Sequence, residues 1–168
     1  MSVPLEPRVA DRVRELGTAE LVVGIPSHDN ARTIGHVVRA VASGLAKHFP
    51  GRNAVIVNSD GGSKDGTPDV VASTQLGSSL AILAPHPLGP VHKILTPYDG
   101  LPGKGSALRT IFAIAERLSA RACAVVDADL RSITPGWIEL LIGPQVDHGF
   151  DYVAPLYLRH KYDGTITN

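Results

Sequence analysis

Three short apolar runs, 21–25, 54–57 and 122–126, divide the chain, and each is rich in β-branched or small residues. Continuous runs of this length, without polar alternation, predict strands buried on both faces. Between the first two lies the segment 31–49, where Ile34, Val37, Val38, Val41 and Leu45 fall on one face of a helix. A second such stripe, Leu108, Ile111, Phe112, Ala115 and Leu118, precedes the run at 122–126. Leu5, Val9, Val13 and Leu16 recur at helical spacing among charges, predicting a short amphipathic helix on the outside of the domain. A weaker strand is expected at 92–96, and a helix at 136–142 after Thr134-Pro135.

Strands alternating with helices predict right-handed βαβ crossovers. The expected fold class is α/β, a mainly parallel sheet with helices on both faces. Residues 77–91, with three prolines, read as loop or irregular strand. Alternation over 151–158 predicts a further strand, and Asp163-Gly164 a hairpin turn with only four residues after it. A return strand that has just begun leads us to expect residues 1–168 to be part of a longer protein, with an unpaired edge that favours a homodimer.

Composition narrows the partners. With 43% hydrophobic residues the chain can bury a core, and sixteen basic against sixteen acidic residues leave no broad positive surface for nucleic acid. No segment has the length and apolarity to span a bilayer. The single Cys123 lies in an apolar run, which excludes an internal disulfide and reads as a buried structural thiol in a cytoplasmic protein.

In an open parallel sheet, ligands bind beyond the carboxyl ends of the strands. Three polar loops fall there: Pro26-Ser27-His28-Asp29-Asn30, Ser59-Asp60-Gly61-Gly62-Ser63-Lys64-Asp65-Gly66-Thr67, and Asp127-Ala128-Asp129. Two carboxylates one residue apart on an extended segment share a direction, so Asp127 and Asp129 can approach one cation. Few hard oxygen ligands suit Mg²⁺ or Mn²⁺, completed by water and phosphate. An isolated pair of this kind is more often a solvated turn; the buried strand before it favours the metal site.

Asp60 opens a glycine-rich loop where Gly62 lets backbone approach a flat ligand, and its carboxylate can accept from a base N–H or a ribose hydroxyl. An Asx-type turn is the competing use, preferred for Asp65 and Thr67, with Thr67 capping a helix that starts near Pro68. Gly103-Lys104-Gly105 puts small residues and a cation at a helix N-terminus, a natural anion site. It is no Walker loop, because Tyr98 and Gly105 stand where that motif needs glycine and Ser or Thr. Of the seven histidines only His28 lies in a converging loop.

These motifs resemble the family 2-like glycosyltransferases of the GT-A fold. The run from Ile25 to Asn30 is similar to their opening motif, whose proline and polar residues contact the nucleotide base, which assigns Pro26 and His28 to the donor. Asp60-Gly61-Gly62-Ser63-Lys64-Asp65-Gly66-Thr67 is similar to their Asp-Asp-Gly-Ser element, and Asp127-Ala128-Asp129 to their metal-binding step. Gly103-Lys104-Gly105 narrows the likeness to glucosyl-3-phosphoglycerate and mannosylglycerate synthases.

The resemblance implies a metal-dependent transfer of a hexose from a UDP- or GDP-sugar to a small hydroxyl acceptor such as glycerate or 3-phosphoglycerate. Residues 1–168 would be the nucleotide-sugar-binding domain, with the acceptor half beyond. Pro26, His28, Asp60, Gly62, Gly103, Lys104 and Asp127 would hold the donor, and Asp127 and Asp129 the metal.

Asn30 and Gly61 replace acidic residues of the family pattern, and Thr165 stands where phosphoglycerate-using relatives carry arginine. A third metal ligand, usually a later histidine, is not assigned to His160, and no catalytic base is identified. A noncatalytic nucleotide-sugar-binding module and a nucleotidyltransferase are the competing readings. The latter lacks its glycine-rich basic loop after the first strand, and a dehydrogenase lacks Gly-X-Gly-X-X-Gly there.

Overall fold

The computed structural model describes residues 4–76, 91–97 and 103–156. Among the described residues four strands form one parallel sheet: β1 (Leu21–Ser27), β2 (Ala54–Asp60), β3 (Val91–Pro97) and β4 (Ala122–Val125). Their order is β3-β2-β1-β4, with every pairing parallel. The helices are α1 (Pro7–Leu16), α2 (Ile34–His48), α3 (Thr67–Ser73), α4 (Lys104–Arg117) and α5 (Pro135–His148).

Alternation along the strands sorts the core into two layers. Leu21, Val23, Ile25, Ala54 and Ile56 pack with α2, α3 and α5; Val22, Val55, Val57 and Ile94 pack with α1 and α4. Both faces of β1 and β2 are covered, which is why those strands read as unbroken apolar runs. Helix α4 lies close on β1 at Gly24, where an added Cβ would sit 2.4 Å from Ile111 Cγ2.

Two strands outrun the apolar pattern. β1 continues through Pro26 because Val126 N donates to Gly24 O while Gly61 N donates to Ser27 O. Even-numbered residues thus face β4 and odd-numbered ones face β2. The N–H that Pro26 lacks would point to the β4 side, where β4 has already ended, so no ladder bond is lost. β2 continues through the buried Asn58, Ser59 and Asp60: Asn58 Nδ2 donates to Ile25 O and Ser27 Oγ at 2.9 Å each, and Asp60 accepts from Ser27 Oγ, while Asn58 Oδ1 and Ser59 Oγ are buried without a hydrogen-bond partner among the described residues.

Three expectations need correction. Residues 151–156, the described part of the strand expected at 151–158, form no strand; Tyr152 and Leu156 are 81% and 90% exposed, and among the described residues no strand lies beside them. Thr67 is the first helical residue of α3, not its cap: Gly66 occupies the cap at φ 84°, and Asp65 Oδ1 accepts from Thr67 N and Oγ1. Helix α5 runs past residue 142 to His148 despite Pro144. The expected hairpin at Asp163-Gly164 and the loop over 77–90 lie outside the described residues, as do Thr165 and His160.

Candidate functional site at the sheet switch point

The order of strand addition reverses between β1 and β4: β2 and β3 extend one side of β1, and β4 is added on the other, parallel to it. Helices following strands on either side of such a point diverge and leave a crevice at the carboxyl ends. A cleft of about 520 Å³ opens there. Pro26, Ser27, His28 and Asn30 line it from the end of β1, and Gly61 from the end of β2. Gly103, Lys104 and Ala107 line it from the start of α4, and Asp127, Ala128 and Asp129 from the end of β4.

The β1 and β2 loops are knitted together by side chains accepting from, or donating to, backbone. Asp29 N donates to Ser63 Oγ and Lys64 N to Asp29 Oδ1, both at 2.8 Å. Asn30 N donates to Thr67 Oγ1 at 2.8 Å, and Ala31 N to Asp65 Oδ2 at 2.9 Å. Asn30 Oδ1 accepts from His28 N at 2.8 Å, and His28 Nδ1 lies 3.2 Å from Gly61 O. The Thr67 hydroxyl, followed by the Ala31 N–H, holds the Asp65 carboxyl below the usual aspartate range. Asp29 takes φ 53°, a left-handed conformation that aspartate tolerates better than most residues.

Asp60 sits at the centre of this network. Its Oδ1 accepts from Ser27 Oγ at 2.9 Å and Ser63 Oγ at 2.6 Å; its Oδ2 accepts from Gly62 N at 3.0 Å and Ser63 N at 2.8 Å. A carboxylate offers about four acceptor positions, and Asp60, 8% exposed, spends all of them inside the chain. Neither Asp60 nor Gly62 is among the residues lining the cleft; Gly61 is. Gly62 holds φ 81°, which closes the turn around the carboxylate.

The opposite wall carries charge. β4 ends at Val125, one residue early, and Asp127 and Asp129 reach the cleft through a turn rather than an extended segment, flanking Ala128, which is 4% exposed. Thr33 Oγ1, at the cap of α2, donates to Ala128 O at 2.8 Å and so ties that turn to the β1 side. The periodicity of α2 gave no signal for this contact, because Thr33 lies outside its apolar stripe. Lys104, the first residue of α4, forms an ion pair with Asp127. The residues expected to take phosphate and metal are thus partners of each other.

The pair of carboxylates suits a hard cation that takes its remaining ligands from water and phosphate, the usual Mg²⁺ pattern. No group of three or more His, Cys, Asp or Glu that could hold a metal exists among the described residues. Cys123 does not line the cleft, and burial pushes its thiol up to about 11. No described helix is long and apolar enough to cross a membrane.

No family model and no curated protein matches the chain. Solved structures do. The chain is similar to mannosyl-3-phosphoglycerate synthase from Rubrobacter xylanophilus, with TM-score 0.52 and 23% identity over 86% of this chain and 41% of that one. It is also similar to glucosyl-3-phosphoglycerate synthase from Mycobacterium tuberculosis, solved with Mn²⁺, uridine diphosphate and glucosyl-3-phosphoglycerate, with TM-score 0.52 and 22% identity over 80% of this chain and 44% of that one. The chain spans less than half the length of these synthases. Its α/β architecture, with an all-parallel sheet and its cleft at the switch point, is that of part of the GT-A fold these synthases share.

Proposed function

We propose that this chain binds the nucleotide-sugar donor of a metal-dependent glycosyltransferase, with UDP or GDP as the nucleotide. The observation that carries the reading is the convergence of Lys104, Asp127 and Asp129 on one wall of the switch-point cleft, facing the Pro26, His28 and Asn30 wall. The likeness to a synthase solved with Mn²⁺ and uridine diphosphate supports it.

In this reading the base lies against Pro26, His28 and Asn30, and Gly61 leaves backbone room beside it. Gly103 and the start of α4 receive the phosphates, where the positive end of the helix dipole favours anions. Lys104 places an ammonium where negative charge grows as the glycosidic bond breaks, which lowers the barrier. Asp127 and Asp129 would hold Mg²⁺ or Mn²⁺, which supplies electrophilic stabilisation of the departing diphosphate. Asp60 and Gly62 act one layer behind, by fixing the loop that carries Gly61.

The acceptor, a small hydroxyl compound such as glycerate or 3-phosphoglycerate, and the hexose transferred are part of the same proposal. So are a cytoplasmic location and an acceptor half beyond residue 168.

The test is a titration of UDP-, GDP- and ADP-sugars in Mn²⁺, followed by a transfer assay with glycerate and 3-phosphoglycerate. UDP- or GDP-sugars are expected to bind at least tenfold more tightly than ADP-sugars. Tight binding without any transfer by the full-length protein would favour a noncatalytic binding module. Equal affinity for all three sugars would contradict the assignment of the base to the β1 loop.

A further inference from the structure

The two carboxylates at the end of β4 are unequal. Asp127 is paired with the Lys104 ammonium, while Asp129, two residues on, carries no side-chain hydrogen bond or ion pair among the described residues. Both members of the ion pair are half-exposed, so the pair is held by its geometry and opens at modest cost. A bare divalent cation entering the cleft therefore meets one open carboxylate, one already neutralised, and a like charge in contact with it. No third acidic, histidine or cysteine ligand completes a cluster among the described residues to offset this.

A diphosphate changes each of these. Its oxygens accept from Lys104 Nζ, at the helix terminus whose N–H groups already favour anions, and they supply the ligands and charge that a cation lacks in this cleft.

We infer that Lys104 is a latch on Asp127, and that the cleft takes a cation and a diphosphate together while binding the bare cation poorly. The inference rests on the donor-site reading above and adds to it a coupling between the two ligands. Linkage makes the coupling reciprocal: whatever factor UDP adds to Mn²⁺ affinity, Mn²⁺ adds to UDP affinity.

The experiment follows Mn²⁺ binding by the paramagnetic resonance signal of the free ion, with and without UDP. It compares the wild type, Lys104→Met, Lys104→Arg, Asp127→Asn and the Lys104→Met/Asp127→Asn double variant. Lys104→Met is expected to bind bare Mn²⁺ about two- to fivefold more tightly, the range that release of one exposed ion pair commands, and the gain that UDP confers is expected to fall by at least that factor. Lys104→Arg keeps the latch and is expected to match the wild type. In the Asp127→Asn background Lys104→Met is expected to change bare-Mn²⁺ affinity little, because the partner it releases is gone.

Bare-Mn²⁺ affinity unchanged by Lys104→Met would overturn the latch. So would an equal gain in both backgrounds, since Lys104 would then act only as a nearby like charge. A wild type that binds UDP equally with and without Mn²⁺ would instead overturn the donor-site reading, and the latch with it.

Discussion

Asp60 shows how a residue's surroundings decide its use. Sequence position marks it as a ligand candidate, at a strand end before glycines; the structure surrounds its carboxylate with two hydroxyls and two backbone N–H groups. Asp60→Ala leaves these donors without an acceptor in a part-buried network. Charged hydrogen bonds are worth roughly 1.5–3 kcal/mol each and are not additive, so a loss of about 3 kcal/mol is expected. For a domain of this size that lowers the melting temperature by roughly 6–12 °C. Thermal unfolding checks it; an unchanged melting temperature with lost nucleoside binding would instead make Asp60 a direct ligand.

Asp65 gives a pH dependence with a definite sign. Its carboxyl titrates below the usual aspartate range because Thr67 and Ala31 donate to the charged form. The stabilisation is present above the unfolded-state value and is lost as pH falls through the lowered folded value. Amide resonances of Ala31 and Thr67 are expected to shift together across that acid range. Movement of only one of them would show that Asp65 does not bridge the two loops.

Among elements, the strands were legible where burial is two-sided and illegible where it turns polar. Continuous apolar runs located β1, β2 and β4, and the stripe on α2 matched its buried face. On α4 the stripe was only partly right: Ile111, Ala115 and Leu118 are buried, but Phe112 is 51% exposed and Ile114, outside the stripe, is buried in its place. Strand ends did not follow from those runs. Apolar patterning cannot show that Asn58 Nδ2 donates to Ser27 Oγ inside the sheet, nor that the N–H Pro26 lacks would point to the side where β4 has ended. Over 151–156 the alternation did not give a strand: period-two patterning specifies one only when a neighbour pairs with it, and none of the described strands does.

The close approach of α4 to β1 is equally invisible in sequence, since Gly24 gives no sign of what lies above it. Gly24→Ala would drive a methyl group to 2.4 Å from Ile111 Cγ2. Overpacking of this kind costs about 1–3 kcal/mol. Calorimetric melting of Gly24→Ala, Ile111→Ala and the double variant is expected to show the pair losing less than the sum of the single losses. Strict additivity would mean that helix and strand separate at no mutual cost.

At the scale of the whole molecule, the strand order turns three separated loops into one cleft. The loops were readable as polar clusters following strands, and βαβ connections put them at the same sheet edge. Their division of labour was not readable. The β2 loop is consumed in building the wall, Thr33 pins the Asp127 turn from across the cleft, and Lys104 is spoken for by Asp127. Such facts depend on which side chains meet, and spacing along the chain does not encode that.

The central claim is that this cleft holds a nucleoside diphosphate through a cation on Asp127 and Asp129. Calorimetric titration of UDP and of GDP, once with Mn²⁺ and once with chelator, tests it in the wild type and in Asp129→Ala. The account predicts at least tenfold tighter binding of one nucleotide with Mn²⁺ in the wild type, and loss of most of that gain in Asp129→Ala. Equal affinity with Mn²⁺ and with chelator for both nucleotides would contradict it.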